Sequence, residues 1–140
     1  MQKFPPLSLY VHIPWCVQKC PYCDFNSHAQ KGAIPEQEYV QHLIADLEAD
    51  LEKYQASIQH RALHSILIGG GTPSLFSAES IKLLLAEIQR RIPFSENIEI
   101  TMEANPGTVE AERFKGYVDA GVTRISMGIQ SFNDDKLQRL

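Results

Sequence analysis

The sequence has no long apolar run, no concentration of basic residues and no internal repeat. Its apolar stretches, of which Leu83–Leu85 is typical, are far shorter than the roughly 20 residues that a membrane-spanning helix requires. Lysine and arginine number 13 against 17 aspartates and glutamates, for a net charge of -4, so binding to nucleic acid phosphates is not expected. Residues 1–6 lack the apolar core of a signal peptide. We therefore expect a soluble, cytoplasmic protein without a transmembrane segment.

Cysteine is also scarce, and its 3 copies lie together at Cys16, Cys20 and Cys23. An odd, clustered set makes a poor disulfide framework and favours metal ligation. The C-x3-C-x2-C spacing suits a [4Fe–4S] cluster, in which three thiolates hold three irons and leave the fourth open to a substrate or cofactor. The alternative is a structural zinc site with His12 or His28 as the fourth ligand. Structural zinc usually joins two separated pairs of ligands, and this sequence has one group of cysteines.

The hydrophobic period alternates between that of strands and that of helices. Strands are predicted at Leu7–Ile13, Leu63–Ile68, Ile98–Glu103 and Val122–Ile129. Helices are predicted over Glu36–Tyr54, from a cap at Ser77 to Ile92, from a cap at Thr108 to near Gly121, and from Asn133 onward. This alternation predicts an α/β fold with a parallel sheet, either open and doubly wound or part of a barrel. Since an eight-unit barrel needs about 250 residues, residues 1–140 are expected to be the N-terminal part of a single domain, cut after its fourth βα unit.

Each unusual segment follows a predicted strand. The cysteines follow the first strand, Gly69–Pro73 the second, Glu103–Pro106 the third and Gln130–Ser131 the fourth. Ligands of parallel α/β folds bind at this edge of the sheet, so we expect the four segments to form one site.

These segments taken singly are weak signals. The glycines allow a close backbone approach to a ligand, although a tight turn is an equal alternative. Glu103 and Gln130 suit hydrogen bonds to ribose hydroxyls or an amino group, and the alternative is a polar strand end that faces solvent. For His12, packing or a hydrogen bond near the cysteines is favoured over metal ligation.

Together, the motifs resemble radical S-adenosylmethionine (SAM) proteins related to oxygen-independent coproporphyrinogen III oxidase. The matching segments are Tyr10–Cys16 with Cys20 and Cys23, Gly69–Pro73, Glu103–Pro106 and Ser126–Phe132. They occur in order over nearly the whole chain, and the resemblance implies a partial (β/α)6 barrel that binds a [4Fe–4S] cluster and SAM. The implied cluster ligands are Cys16, Cys20 and Cys23, and the implied SAM contacts are Tyr10, Tyr22, Gly70, Gly71, Thr72, Glu103 and Gln130. No catalytic side chain is assigned.

One departure bears on the branch of the family. The oxidases carry a further cysteine two residues after the third, where this sequence has Phe25, and a longer stretch precedes their first cysteine. Both features resemble the heme chaperones of the family, which bind heme and pass it to acceptor proteins. The implied partners are heme as cargo, heme-acceptor proteins and an electron donor such as a flavodoxin or ferredoxin. The alternatives are an oxidase that decarboxylates porphyrinogen propionates and a zinc-stabilised α/β module.

Overall fold

The computed structural model describes residues 4–106 and 111–139, so the cap predicted at Thr108 lies outside the described residues. The strands are β1 (Leu7–Ile13), β2 (Trp15–Cys16), β3 (His28–Ala29), β4 (Leu63–Gly70), β5 (Phe94–Ala104) and β6 (Arg124–Met127). The helices are α1 (Glu36–Lys53), α2 (Gln55–Ile58), α3 (Ala78–Arg91), α4 (Ala111–Ala120) and α5 (Asp134–Leu137), with a 3-10 turn at Pro73–Leu75.

The main sheet is parallel and has the order β1-β4-β5-β6, while β2 and β3 form a small parallel pair of their own. Across the main sheet, the strands therefore follow the order in which they occur in the sequence. A doubly wound sheet reverses its strand order at a switch point, and these four strands do not. The α/β fold with a parallel sheet is confirmed, and this strand order is that of a barrel wall.

The two faces of the sheet differ in character because side chains alternate along each strand. One face packs against α1, α3 and α4, which lie side by side. Its core is mostly aliphatic, with Ile13, Ile66, Ile68 and Met102 fully buried, and Phe76 and Tyr117 add two buried rings. The opposite face carries polar groups such as the Ser65 and Ser8 hydroxyls, whose oxygens are 2.8 Å apart. Polar groups on this face can form hydrogen bonds with a ligand.

The predicted element positions are largely confirmed, with different bounds. β4 extends to Gly70 because its backbone stays paired with β1 through that residue. β5 begins at Phe94 rather than Ile98, where Phe94 pairs with Leu63 of β4. β6 is shorter than predicted, and the pair β2–β3 and helix α2 were not foreseen. Strand pairing, which local sequence does not reveal, sets these bounds.

An aromatic cluster lies beneath the segment that carries the first cysteine. The Trp15 and Tyr39 rings meet edge to face with centroids 4.7 Å apart, and the Trp15 and Phe76 centroids are 5.8 Å apart. The Tyr39 hydroxyl donates to the His12 carbonyl oxygen at 2.7 Å. These contacts join β1, α1 and the 3-10 turn, and they fix the backbone next to Cys16.

Among residues 4–106 and 111–139, no helix combines the length and the apolar character that crossing a bilayer demands.

Helix α3 begins at a cap that also ties it to α1. The Ser77 hydroxyl oxygen accepts from the Ser80 amide at 3.2 Å, as the sequence predicted, and the same hydroxyl donates to Glu36 Oε2 at 2.7 Å. The Ser77 amide donates to the same carboxylate oxygen at 3.0 Å. One serine therefore caps one helix and binds the first residue of another.

We predict that Ser77→Ala lowers the free energy of unfolding by about 1–2 kcal/mol, because the cap and the bond to Glu36 are lost together. Urea unfolding followed by circular dichroism measures this. Ser57→Ala on the exposed helix α2 serves as the control and is expected to stay close to the parent. An unchanged midpoint for Ser77→Ala would show that the cap is not needed.

Candidate functional site

The cysteine loop starts on β2 and returns on β3. The Cys16 carbonyl oxygen accepts from the Gln30 amide at 2.7 Å, and the Pro14 carbonyl oxygen accepts from the His28 amide at 2.8 Å. Inside the loop, the Cys23 amide donates to the Cys20 carbonyl oxygen at 3.1 Å, which forms a tight turn. The three cysteines are free and half-buried.

The glycine segment after β4 lies directly against the backbone that leads into this loop. The Gly71 amide donates to the Ile13 carbonyl oxygen at 2.8 Å, and the Thr72 amide donates to the Trp15 carbonyl oxygen at 2.7 Å. A Cβ atom at Gly71 would lie 2.6 Å from the Trp15 oxygen, which is too close for any side chain. Gly70 has a φ of +119°, a conformation that favours glycine. These glycines therefore do more than turn the chain, since they hold two loops together.

The third and fourth segments join the first two through side chains. Glu103 Oε2 accepts from the Gly70 amide at 3.2 Å, and the Asn105 side-chain amide donates to the Thr72 hydroxyl at 3.1 Å. From the far side, the Tyr22 hydroxyl donates to Gln130 Oε1 at 3.1 Å. That bond links the cysteine loop to the segment after β6. Gln130 has a φ of +63°, which a residue with a side chain rarely adopts.

All four segments line one cavity of about 250 Å³. The predicted site residues in its wall are Cys16, Cys20, Tyr22, Cys23, Gly70, Gly71, Thr72, Glu103 and Gln130. Tyr10 lies outside this lining, and its ring approaches Gly69 beside Glu103. Another cavity, of about 320 Å³, lies at the opposite end of the sheet between β1, α1 and α2, and its lining is mostly apolar.

His12 connects the inner face of β1 to the far end of the cysteine loop. Its Nε2 lies 2.7 Å from the Asn26 carbonyl oxygen, and its Nδ1 lies 2.8 Å from the Tyr10 hydroxyl. A carbonyl only accepts, so Nε2 carries the hydrogen, and in the neutral ring Nδ1 accepts from Tyr10. Both ring nitrogens are therefore engaged in hydrogen bonds, which is the role that the sequence favoured for this histidine.

Two phenols beside the site have raised pKa values. Burial and the nearby Glu103 carboxylate raise the pKa of Tyr10. A hydrogen bond with Cys20 raises the pKa of Tyr22, and desolvation and the Coulomb interaction with Cys20 and Cys23 act in the same direction. At neutral pH both hydroxyls can therefore donate hydrogen bonds, either to protein oxygens or to a bound ligand.

The donor set suits an iron–sulfur cluster. Three thiols on one short loop face a cavity that is bordered by polar groups. Among the described residues, no three His, Cys, Asp or Glu side chains converge on a point as the ligands of a single ion do. A cubane binds its three thiolates on three different irons, so a cluster does not require convergence on a point.

Several lining residues were not predicted as site residues. They are Gln18, Phe25, Ala104, Asn105, Ser126 and Gly128. Asn105 and Ser126 stand in segments that the sequence did single out, and their place at strand ends was a usable signal. Phe25 was noted only as a departure from the oxidases, yet its 69% exposed side chain borders the cavity. No sequence signal distinguished Gln18 from its polar neighbours.

Comparisons with known proteins identify the superfamily to which the chain belongs. The model of the radical SAM superfamily matches residues 10–140, and the chain belongs to that superfamily. Over all 140 residues the chain is 77% identical to the heme chaperone HemW of Haemophilus influenzae and 60% identical to that of Escherichia coli. It covers only 37% and 36% of those two proteins, so it spans a little over a third of their length.

A solved structure also matches. It is coproporphyrinogen III oxidase (HemN) from Escherichia coli, described as a radical SAM enzyme, with a TM-score of 0.77 and 28% identity. The match covers 96% of this chain and 31% of the oxidase chain. The resemblance to this family, first seen in the motifs, is confirmed together with the fold.

We predict that Gly71→Ala displaces the glycine segment from Trp15, because the added methyl group would overlap the carbonyl oxygen there. The expected results are a lower thermal midpoint and a loss of most of the iron bound by air-free protein. Gly32→Ala is the control, since its methyl group would meet nothing within 4 Å, and this variant is expected to keep its iron although its φ of +84° favours glycine. Equal iron content in both variants would contradict the close approach.

Proposed function

We propose that this chain binds a [4Fe–4S] cluster through Cys16, Cys20 and Cys23 and binds SAM in the adjoining cavity. The observation that carries the proposal is the gathering of all three cysteines and the ends of β4, β5 and β6 around one cavity. The superfamily match supports it. Such a cluster, when bound, supplies the electron for reductive cleavage of SAM.

The residues around the cavity would each make a different contact with SAM. Glu103 offers carboxylate oxygens to the amino group and is steadied by the Gly70 amide at 3.2 Å. Gly71 has no side chain, so a ligand can approach its backbone closely, and Thr72 continues the cavity wall beside it. Gln130 and Tyr22 present an amide and a phenol from the opposite wall. Tyr10 acts from beside the cavity, through the hydroxyl that it directs at His12.

We predict that air-free protein contains about four irons and four sulfides per chain and that SAM changes its electron paramagnetic resonance spectrum. Cys20→Ala should lose most of this iron, whereas Val17→Ala, a change at an exposed residue of the same loop, should retain it. Protein that contains tightly held zinc and no iron would contradict the proposal and would favour the zinc module.

We further propose that the protein of which this sequence forms all or part is a heme chaperone in the cytoplasm. It would bind heme as cargo, pass it to acceptor proteins and draw electrons from a flavodoxin or ferredoxin. The 77% identity to one HemW chaperone and the Phe25 side chain in place of the further cysteine of the oxidases support this. In this reading, residues 1–140 are the N-terminal part of one radical SAM domain, a partial (β/α)6 barrel.

An oxygen-independent coproporphyrinogen III oxidase is the second candidate, favoured by the structural similarity to HemN at a TM-score of 0.77. The two candidates differ in their reaction with porphyrinogen. We predict that intact protein supplied with coproporphyrinogen III, reductant and SAM releases no carbon dioxide and forms no decarboxylated product. The same preparation should bind heme stoichiometrically by absorbance titration. Sustained turnover would overturn the chaperone proposal, and an absence of heme binding would do the same.

A further inference from the structure

Cys23 is the one cysteine of the three with a buried hydroxyl beside its sulfur among the described residues. Its Sγ lies 3.7 Å from the Ser27 Oγ. Ser27 is only 2% exposed, whereas Asn26 and His28 on either side are exposed. Because water has little access to this hydroxyl, its hydrogen bonds must be made within the protein.

The Ser27 hydroxyl has two neighbours and a single hydrogen. Besides the Cys23 sulfur, its oxygen lies 3.4 Å from the Phe25 carbonyl oxygen, to which it can donate. A free thiol can donate its own hydrogen to Ser27, which leaves the serine hydrogen for Phe25. A sulfur that is bound to iron has no hydrogen and only accepts. The sulfur and the Phe25 carbonyl oxygen then compete for the single hydrogen of the Ser27 hydroxyl.

Lys19 supplies a second donor to the Phe25 carbonyl oxygen. Its ammonium group donates to the Phe25 carbonyl oxygen at 3.3 Å and to the Ser27 carbonyl oxygen at 3.2 Å. An ammonium group has three hydrogens, so both carbonyls are satisfied by Lys19. The Ser27 hydroxyl can then turn to the sulfur without leaving the Phe25 oxygen unpaired. Lys19 also places a positive charge on the loop that would carry an anionic cluster.

We propose that Lys19 and Ser27 are positioning residues for the cluster, with the Ser27 hydroxyl donating to the Cys23 sulfur and Lys19 holding the segment that presents it. This inference rests on the proposed binding of a cluster by the three cysteines. A hydrogen bond donated to a ligand sulfur stabilises the reduced cluster, which carries more negative charge, and so raises its reduction potential. The pair therefore affects how readily the cluster accepts an electron.

The test is a redox titration of air-free protein, monitored by electron paramagnetic resonance and accompanied by iron analysis. Ser27→Ala is expected to lower the midpoint potential of the cluster, and Ser27→Thr, which keeps the hydroxyl, is expected to restore it towards that of the parent. Lys19→Met is expected to lower it as well. Lys31→Met removes an equal charge from the following exposed loop and is expected to cause a smaller shift.

The outcomes separate this inference from the proposal on which it rests. Parent protein without iron would overturn both. A loaded parent together with a loaded Ser27→Ala variant of unchanged potential would overturn only the role of Ser27 and Lys19. Should Ser27→Ala assemble no cluster, Lys19→Met decides, because that side chain is exposed and its loss leaves the core intact. A shift no larger than that of Lys31→Met would then overturn the inference.

Discussion

The close contact between Gly71 and the backbone at Pro14–Trp15 is the constraint on which the site depends. Parallel strands bring their ends to one edge in any fold of this class, but that alone does not place a long loop over the edge. Here two amides of the glycine segment donate to the carbonyl oxygens of Ile13 and Trp15, in the stretch that leads to the first cysteine. Because a side chain at Gly71 has no room, the distance between the cysteine loop and β4 is set by backbone atoms. The aromatic cluster below holds the same stretch from the core side.

One face of the sheet contributes to stability, and the edge of the other contributes to the site. Aliphatic residues on one face pack against three helices, and this burial supplies most of the favourable free energy of folding. At the carboxyl edge of the sheet, Glu103 and the segments that follow the strands direct carboxylate, amide and phenol groups towards the cavity. The Tyr22 phenol lies in the cysteine loop as a donor, the Lys19 ammonium holds two carbonyl oxygens of the same loop, and Glu103 is an acceptor in the wall formed by β5. This arrangement supports the proposal that the cavity holds a cluster and SAM.

The sequence predicted the order of strands and helices and the segments that meet at the site. It did so because period, proline and glycine are local signals, and because parallel strands place their ends together. The early start of β5 at Phe94 and the pair β2–β3 depend on partners far along the chain, which no local pattern reveals. The same holds for Ser27 and Lys19, two ordinary polar residues in a polar loop. Their contacts with Cys23 and with two carbonyl oxygens appear only once the loop has closed.

At Gln130, the requirements of stability and of the cavity conflict. Its backbone has a φ of +63°, which glycine adopts without strain and which costs glutamine about 1 kcal/mol or more. The side chain that creates this strain is also the one that reaches Tyr22 across the cavity. Selection for heat resistance alone would therefore favour glycine here and erase one wall of the cavity. Attempts to engineer a hardier version of this protein should leave this position unchanged.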